Sequence, residues 1–358
     1  MPQVPDVPVV LEKIPAESQI TEEKVTKKIP ETNKLSVELK KAISAEKVYG
    51  EVISTAKNVF NSALTEECLH ITPVVNISRK IIALIMAEND DFLGLVEHST
   101  PDVYLYAHTT NVSILSVMLG FALDYTEQDL EKLCVCAFLH DIGMIKVFEL
   151  SSKPGKLDQP DIMEIRKHTK YNSMLLEKLD MPQETRRWIV DVCEQVHERK
   201  DGMGYPKGVS GAEINAFAKI IGVADVYEAL THLRSWRERV LPHDALKKMI
   251  ELAETSFEAD IVKLFIEKLS LYPVGSYVRL NTDDIGRVSG VNKGLPTRPK
   301  VKVFLDADYN RISPERQLDL SKEAMAYITE PVDETKLTLK DKKLALELKA
   351  RRWWVKSI

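Results

Sequence analysis

Cysteine is scarce in this sequence: Cys68, Cys134, Cys136 and Cys193 are the four in 358 residues, and no two form a Cys-x-x-Cys pair. That spacing excludes a disulfide framework and a cysteine-built structural zinc, and it points to a reducing compartment. Cys134 and Cys136 lie in an apolar run, where a small buried thiol is the ordinary reading. An excess of positive charge is also lacking. Lys and Arg number 49 against 54 Asp and Glu, for a net charge of −5, so the whole chain makes no electrostatic case for DNA, and phosphate recognition must come from a local site. No apolar run approaches the roughly 18 residues of a membrane-spanning helix, and no secretory n-region and h-region opens the chain. The expectation is a cytoplasmic protein. With 44% hydrophobic residues it has enough apolar surface for a substantial core, and its length suggests two folded units plus tails.

Residues 1–45 are rich in Pro, Glu, Lys, Thr and Val and lack apolar periodicity, so they are expected to form a flexible arm. From 46 to 100 the pattern turns helical, with Ile77, Ile81, Leu84 and Ile85 on one face and Asn89-Asp90-Asp91 ending the run. A long helical region occupies 101–270. Its first helix places His108, Val112, Leu115, Val117 and Leu119 largely on one side, with Gly120 helping to terminate it, and Glu127 to Leu139 forms a second helix. Pro154-Gly155, Gly202-Met203-Gly204 and Pro206 mark loops. After Pro273, Tyr277–Leu280, Gly286–Val288 and Val301–Leu305 read as short strands of a small β module over 271–330. The segment 331–358 reads as a basic helical tail ending in Trp353-Trp354, an indole pair that docks on a partner or membrane surface or packs back on the chain or a neighbouring subunit. The predicted fold class is mainly α: a helical bundle with an N-terminal helical region and a small C-terminal β module.

The chemistry concentrates in Leu139-His140-Asp141-Ile142-Gly143. An adjacent imidazole and carboxylate can reach one metal, and the carboxylate can bridge two. The dipeptide is common, and its weight comes from His108 upstream and His168, His197 and Asp225 downstream. Singly, each has a plain explanation: His108 as a core histidine bonded to a carbonyl, His168 on a surface helix start, His197 in a solvated loop. Asp225, in Gly222-Val223-Ala224-Asp225-Val226, is costly among apolar neighbours unless it is paired or metal-bound. Together, four histidines and two aspartates suit a mixed N/O site for Fe, Mn or a similar divalent ion.

His197-Glu198-Arg199-Lys200-Asp201-Gly202-Met203-Gly204-Tyr205-Pro206, placed behind the HD dipeptide, resembles the signature of the HD-GYP phosphodiesterases, a branch of the HD phosphohydrolase superfamily. The order of His108, the HDIG string, Lys153–Leu157, His168, the GYP string and Asp225–Thr231 carries the resemblance over about 104 to 250. It implies a helical bundle holding a two- or three-metal centre, with cyclic di-GMP as substrate and pGpG, or onward GMP, as product. It implies metal ligands at His108, His140, Asp141, His168, His197 and Asp225, with Asp141 bridging and His140 and Asp141 catalytic. The metals would lower the pKa of bound water and neutralise charge developing on the phosphoryl oxygens. Arg234 and Arg237 fall where the family places phosphate-contacting basic residues, Lys146 is a further candidate, and Tyr205 would shape the site mouth or meet partners.

Three departures stand out. Val196 replaces one of two adjacent histidines, Met144 replaces a lysine after HDIG, and Tyr104 replaces a glutamate that supports a third metal in some members. Two metals are therefore expected, the second held more weakly. The rival reading is a weak or inactive receptor that binds cyclic di-GMP, or binds a diguanylate cyclase or other signalling protein through Gly204-Tyr205-Pro206. The helical region before His108 offers a face for a homodimer.

Overall fold

A computed structural model describes residues 44–65, 68–97, 104–153, 155–235, 237–337 and 339. Residues 1–43 of the N-terminal arm and 340–358, with Trp353-Trp354, lie outside the described residues. Where the expected helical tail begins it is not a helix, because Pro331 and Val332 close the last strand of the C-terminal sheet and 333–337 form a turn. The first helix, α1 (Ala45–Thr65), buries Val48, Tyr49, Val52, Ile53, Ala56, Val59, Phe60 and Ala63, the three- and four-residue spacing of one helical face. In α2 (Thr72–Met86) a proline opens the helix, where its missing N–H costs nothing. That helix ends at Met86, three residues before the Asn89-Asp90-Asp91 string expected to end it. Asn89 then begins a new short helix, α3 (Asp90–Gly94), by accepting a hydrogen bond from Phe92 N at 2.9 Å.

Helix α4 (Tyr104–Ala122) is the centre of the bundle, touched by α1, α2, α5 (Glu127–Leu139), α10 (Ala216–Thr231) and α12 (Ala259–Leu269). Two expectations need correction here. Instead of one apolar side, every residue from Ala107 to Gly120 is buried, because neighbours surround the helix. Gly120 does not terminate it. The helix continues to Ala122, and a Cβ at Gly120 would meet Leu133 Cδ2 at 2.6 Å and Leu130 Cδ2 at 2.9 Å, so the glycine lets α5 pack close. Thr126 caps α5 by accepting from Asp129 N at 3.2 Å. Between α5 and α10 run a 3-10 turn (Ile142–Lys146), α6 (Phe148–Ser151), α7 (Gln159–Arg166), α8 (His168–Leu176) and α9 (Gln183–Gln195). Helix α11 (Pro242–Leu252) lies between α10 and α12 in sequence and packs on both.

The C-terminal sheet is antiparallel in the order β4-β3-β2-β1-β5, with β1 (Tyr277–Leu280), β2 (Ile285–Gly290), β3 (Lys300–Leu305), β4 (Arg311–Asp319) and β5 (Ile328–Val332). The sequence reading found β1 to β3 and missed β4 and β5. Strand β4 is an edge strand with few buried side chains, so it carries little apolar signal. Both faces of the sheet bury side chains: Val278, Leu280, Val288, Val301 and Val303 in one cluster, Tyr277, Ile285, Phe304 and Leu305 in the other. Arg239 ties the helical body to this module by donating to Asp333 at 3.1 Å and Glu334 at 2.7 Å, and His243 stacks on Tyr272 at 5.0 Å.

Phe265 is fully buried on α12 and meets Tyr227 of α10 edge-on at 5.1 Å. Phe265→Ala should therefore cost about 3–5 kcal/mol, read as a lower urea midpoint at unchanged slope. A cost near zero would show that α12 is not integral to the bundle.

Candidate metal centre

The six residues singled out as ligands arrive from five places in the chain. His108 comes from the first turns of α4, His140 and Asp141 from the end of α5, His168 from the start of α8, His197 from just beyond α9, and Asp225 from the middle of α10. All are withdrawn from solvent, with exposures of 1, 0, 6, 2, 6 and 7% in that order, so the surface or loop readings of His168 and His197 do not hold. The geometry brings all six together. Asp141 Oδ1 lies 3.2 Å from His168 Nε2 and 3.3 Å from His197 Nε2, while its Oδ2 lies 3.5 Å from His108 Nε2. Asp225 faces the same space, with Oδ1 3.3 Å from His108 Nε2 and Oδ2 3.5 Å from His197 Nδ1.

Ring orientation is fixed from behind. His140 Nδ1 donates to Ala137 O at 2.7 Å and His168 Nδ1 to Ile165 O at 2.8 Å, which leaves each Nε2 lone pair aimed inward. His140 Nε2 is a buried nitrogen without a hydrogen-bond partner among the described residues. An orphaned buried acceptor is costly, and a cation beside it removes the cost. The Nε2 atoms of His168 and His197 stand 2.9 Å apart, the spacing of two ligands about 2.0–2.2 Å from one shared ion. His108, His140 and Asp141 form one group with ligand atoms within 4.8 Å of one another, and Asp141, His168 and His197 form another. Asp141 belongs to both. The residues present fit two divalent ions bridged by one carboxylate.

The electrostatics agree with that fit. Burial opposes ionisation of Asp141 and Asp225, but the surrounding histidines outweigh it and hold both carboxyls below the usual carboxylate range. Burial likewise opposes charge on His197, and Asp141 and Asp225 outweigh it, holding this imidazole up to about 9. His140, with burial dominant, is pushed down and stays neutral.

Sequence reasoning missed Glu228. This carboxylate is fully buried one turn after Asp225, accepts from His108 Nδ1, and lies 3.2 Å from both Asn111 Nδ2 and His232 Nδ1. Tyr49 of α1 extends the chain by donating to Asn111 Oδ1 at 2.7 Å. The signal was present: Asp225 and Glu228 are three apart, the two acids of a helix whose only other charged residue is Lys219. Asn172 was also missed. It accepts from Gly143 N at 2.5 Å and donates to His140 O, locking the HDIG turn onto α8. Gly143 is required there, since a Cβ would meet His168 O at 2.2 Å.

The substrate-binding candidates divide. Arg234 lies with its guanidinium 3.6 Å from the Tyr104 ring centroid and 3.5 Å from Glu228 Oε2, beside the His108 group. Tyr104 thus serves as a platform for that arginine. Arg237 is exposed and donates to Ala229 O, and its backbone pairs with Arg234 in a tight turn. Lys146 is exposed at the end of the 3-10 turn. Tyr205 stacks on His197 at 4.9 Å and 10°, and Arg166, not anticipated, places its guanidinium 4.8 Å from the Tyr205 ring centroid. Gly204 makes the turn feasible, because a Cβ would meet Glu198 Cα at 2.5 Å. Val196 and Met144, at the positions that depart from the family pattern, are buried in the apolar core.

Comparison with known proteins follows the same division of the chain. Residues 95–261 match the HD domain, and residues 277–340 match a KOW domain associated with HD domain. A cyclic di-GMP phosphodiesterase of Pseudomonas aeruginosa is 30% identical over 266 residues, 74% of this chain and 63% of that protein. The 3'3'-cGAMP-specific phosphodiesterase 3 of Vibrio cholerae is 31% identical over 183 residues, 51% of this chain and 38% of its own length. The cyclic di-GMP phosphodiesterase PdeB of Borreliella burgdorferi is 26% identical over 203 residues, 56% of this chain and 52% of its own. This chain therefore spans less than two thirds of each of these relatives. Among solved structures, an HDG"Y"P protein from Bdellovibrio bacteriovorus shares the fold at a TM-score of 0.50 and 20% identity, covering 62% of this chain and 70% of that one. HD-domain proteins are metal-dependent, in keeping with the buried His/Asp groups. Among the described residues no helix is long and apolar enough to cross a membrane.

Two outcomes follow from this geometry. Glu228→Gln should leave the fold intact while weakening metal retention about 10–100-fold, measured as metal content after chelator challenge; unchanged retention would remove Glu228 from the site. Because His197 in the metal-free protein titrates near 9, it is protonated at neutral pH and a metal must displace that proton. Affinity should then rise with pH up to about 9, with proton release detected by calorimetry in buffers of different ionisation enthalpy. Binding without proton release would contradict the ligand role of His197.

Proposed function

We propose that this chain, which belongs to the HD-GYP family of HD-domain proteins, is a metal-dependent phosphodiesterase that opens a cyclic dinucleotide, cyclic di-GMP first among them, to its linear form pGpG and onward to GMP. The observation that carries the reading is Asp141, common to two buried groups of ligands. We assign His108, His140 and Asp225 with Asp141 to one ion, and His168 and His197 with Asp141 to the other. The donor set holds nitrogen and oxygen and no sulfur, which favours iron or manganese. When bound, such ions supply an activated water and offset charge on the phosphoryl oxygens.

The rest of the work belongs to the chain. Glu228 and the carbonyls of Ala137 and Ile165 hold three imidazoles in one orientation each, so the ligands are set before substrate arrives. Arg234, over the Tyr104 ring, offers a guanidinium that suits a phosphate beside the His108 group. Arg237 and Lys146 are exposed and can meet the second phosphate of a cyclic dinucleotide. Burial, with the charges of Asp141 and Asp225, pushes the Tyr205 hydroxyl up, so it stays a neutral phenol. Its stacking on His197 fits a wall of the site better than a proton carrier. The free thiols of the chain suit the cytoplasm.

A partner reading rests on one further observation. Met203, two residues before the Tyr205 that stacks on His197, is 83% exposed, an apolar side chain offered to solvent. That suits contact with a signalling protein such as a diguanylate cyclase, alongside catalysis.

The test is turnover of cyclic di-GMP and of 3'3'-cGAMP by protein reconstituted with iron or manganese, beside Asp141→Ala. Hydrolysis lost in the variant supports the enzyme, and the ratio of the two rates fixes the substrate. Tight nucleotide binding by the reconstituted protein with no linear product would replace the enzyme by a receptor.

A further inference from the structure

We propose a second metal site, at the protein surface, formed by Cys68, His70 and Asp180 and suited to zinc or another divalent ion of similar softness. The segment before α2 runs beside the connection between α8 and α9 as a short parallel bridge, Leu69 to Leu179. Leu69 N donates to Lys178 O at 2.8 Å, and Asp180 N donates to Leu69 O at 3.1 Å. Side chains of extended backbone alternate in direction. Leu69 is buried at 2% exposure, so Cys68 and His70 on either side of it turn outward together. Asp180 meets them from the other segment. Its Oδ1 accepts from Ile71 N at 2.7 Å, which fixes the carboxylate, and its Oδ2 lies 2.7 Å from His70 Nδ1.

One ligand atom from each of the three residues lies within 4.8 Å of the others. The close His70–Asp180 contact is bridged by a proton in the metal-free protein, and a cation replacing that proton needs the two exposed side chains to part by about 0.6–0.9 Å, to the roughly 3.3–3.6 Å between tetrahedral ligands about 2.0–2.2 Å from one ion. A thiolate, an imidazole and a carboxylate are a zinc-like donor set, and three protein ligands leave a fourth tetrahedral position for water. The set differs in kind from the interior centre, whose ligands include no sulfur, so the two sites sort metals by softness. Occupancy would cross-link the start of α2 to the end of α8.

Sulfur gives the site its own signature. Cys134, Cys136 and Cys193 are buried away from added metal, and burial pushes the Cys134 thiol up to about 12 and the Cys136 thiol well above its ordinary value. Titrating the full chain with cobalt(II) should produce a thiolate-to-cobalt charge-transfer band in the near ultraviolet. The band should persist in Asp141→Ala, vanish in Cys68→Ser, and require about tenfold or more cobalt in His70→Ala, since loss of a direct ligand costs at least as much as loss of a supporting partner. All three positions border solvent, and unchanged thermal unfolding of the metal-free variants would show that they fold. A cobalt-saturated protein with no such band, or a band that survives Cys68→Ser, would overturn the proposal.

Discussion

Everything in the interior site depends on one constraint: two carboxylates and four imidazoles are buried within a few ångströms, and their charges must cancel there. Asp141 and Asp225 would be intolerable alone in this core. Histidines contacting them make both ionised forms stable, and the same carboxylates hold protons on His197 until a stronger cation takes their place. The bundle is arranged around that balance. Central helix α4 brings His108, the break after α5 brings the HD pair, and α10 brings both Asp225 and the carboxylate that steadies His108.

Much of this was legible in the sequence because ligand chemistry leaves dense local marks. The HD dipeptide, the GYP string and isolated histidines in apolar company named all six residues that converge. Supporting residues were harder to read. Asn172 and Asn111 are ordinary helix residues until their partners are known, and those partners lie 29 to 117 positions away. Glu228 lies within the Asp225–Thr231 string, and an acid one turn after Asp225 on a largely apolar helix is a readable sign. Tyr104 was read as the absence of a glutamate, when its ring is the surface on which Arg234 lies.

Fold elements followed the same rule. Helices with one apolar stripe, such as α2, were plain. Helix α4 was read as a helix but given one apolar side, because burial all round leaves no stripe to follow. In the sheet, the apolar strands β1 to β3 declared themselves, whereas β4 makes its ladder with backbone groups and polar side chains and gives no pattern to read. Gly120 and Gly143 show how one residue type serves opposite ends: each permits a close approach between helical segments, yet from the sequence a glycine near a helix end reads as a stop.

The central claim is that Asp141 joins two ions in one centre. Magnetic spectroscopy of the manganese- or iron-reconstituted protein tests this directly, because ions bridged by a carboxylate are exchange-coupled and isolated ions are not. The account predicts a coupled pair in the native chain and its disappearance in Asp141→Asn. Signals of uncoupled ions in the native chain at two equivalents of metal would contradict it.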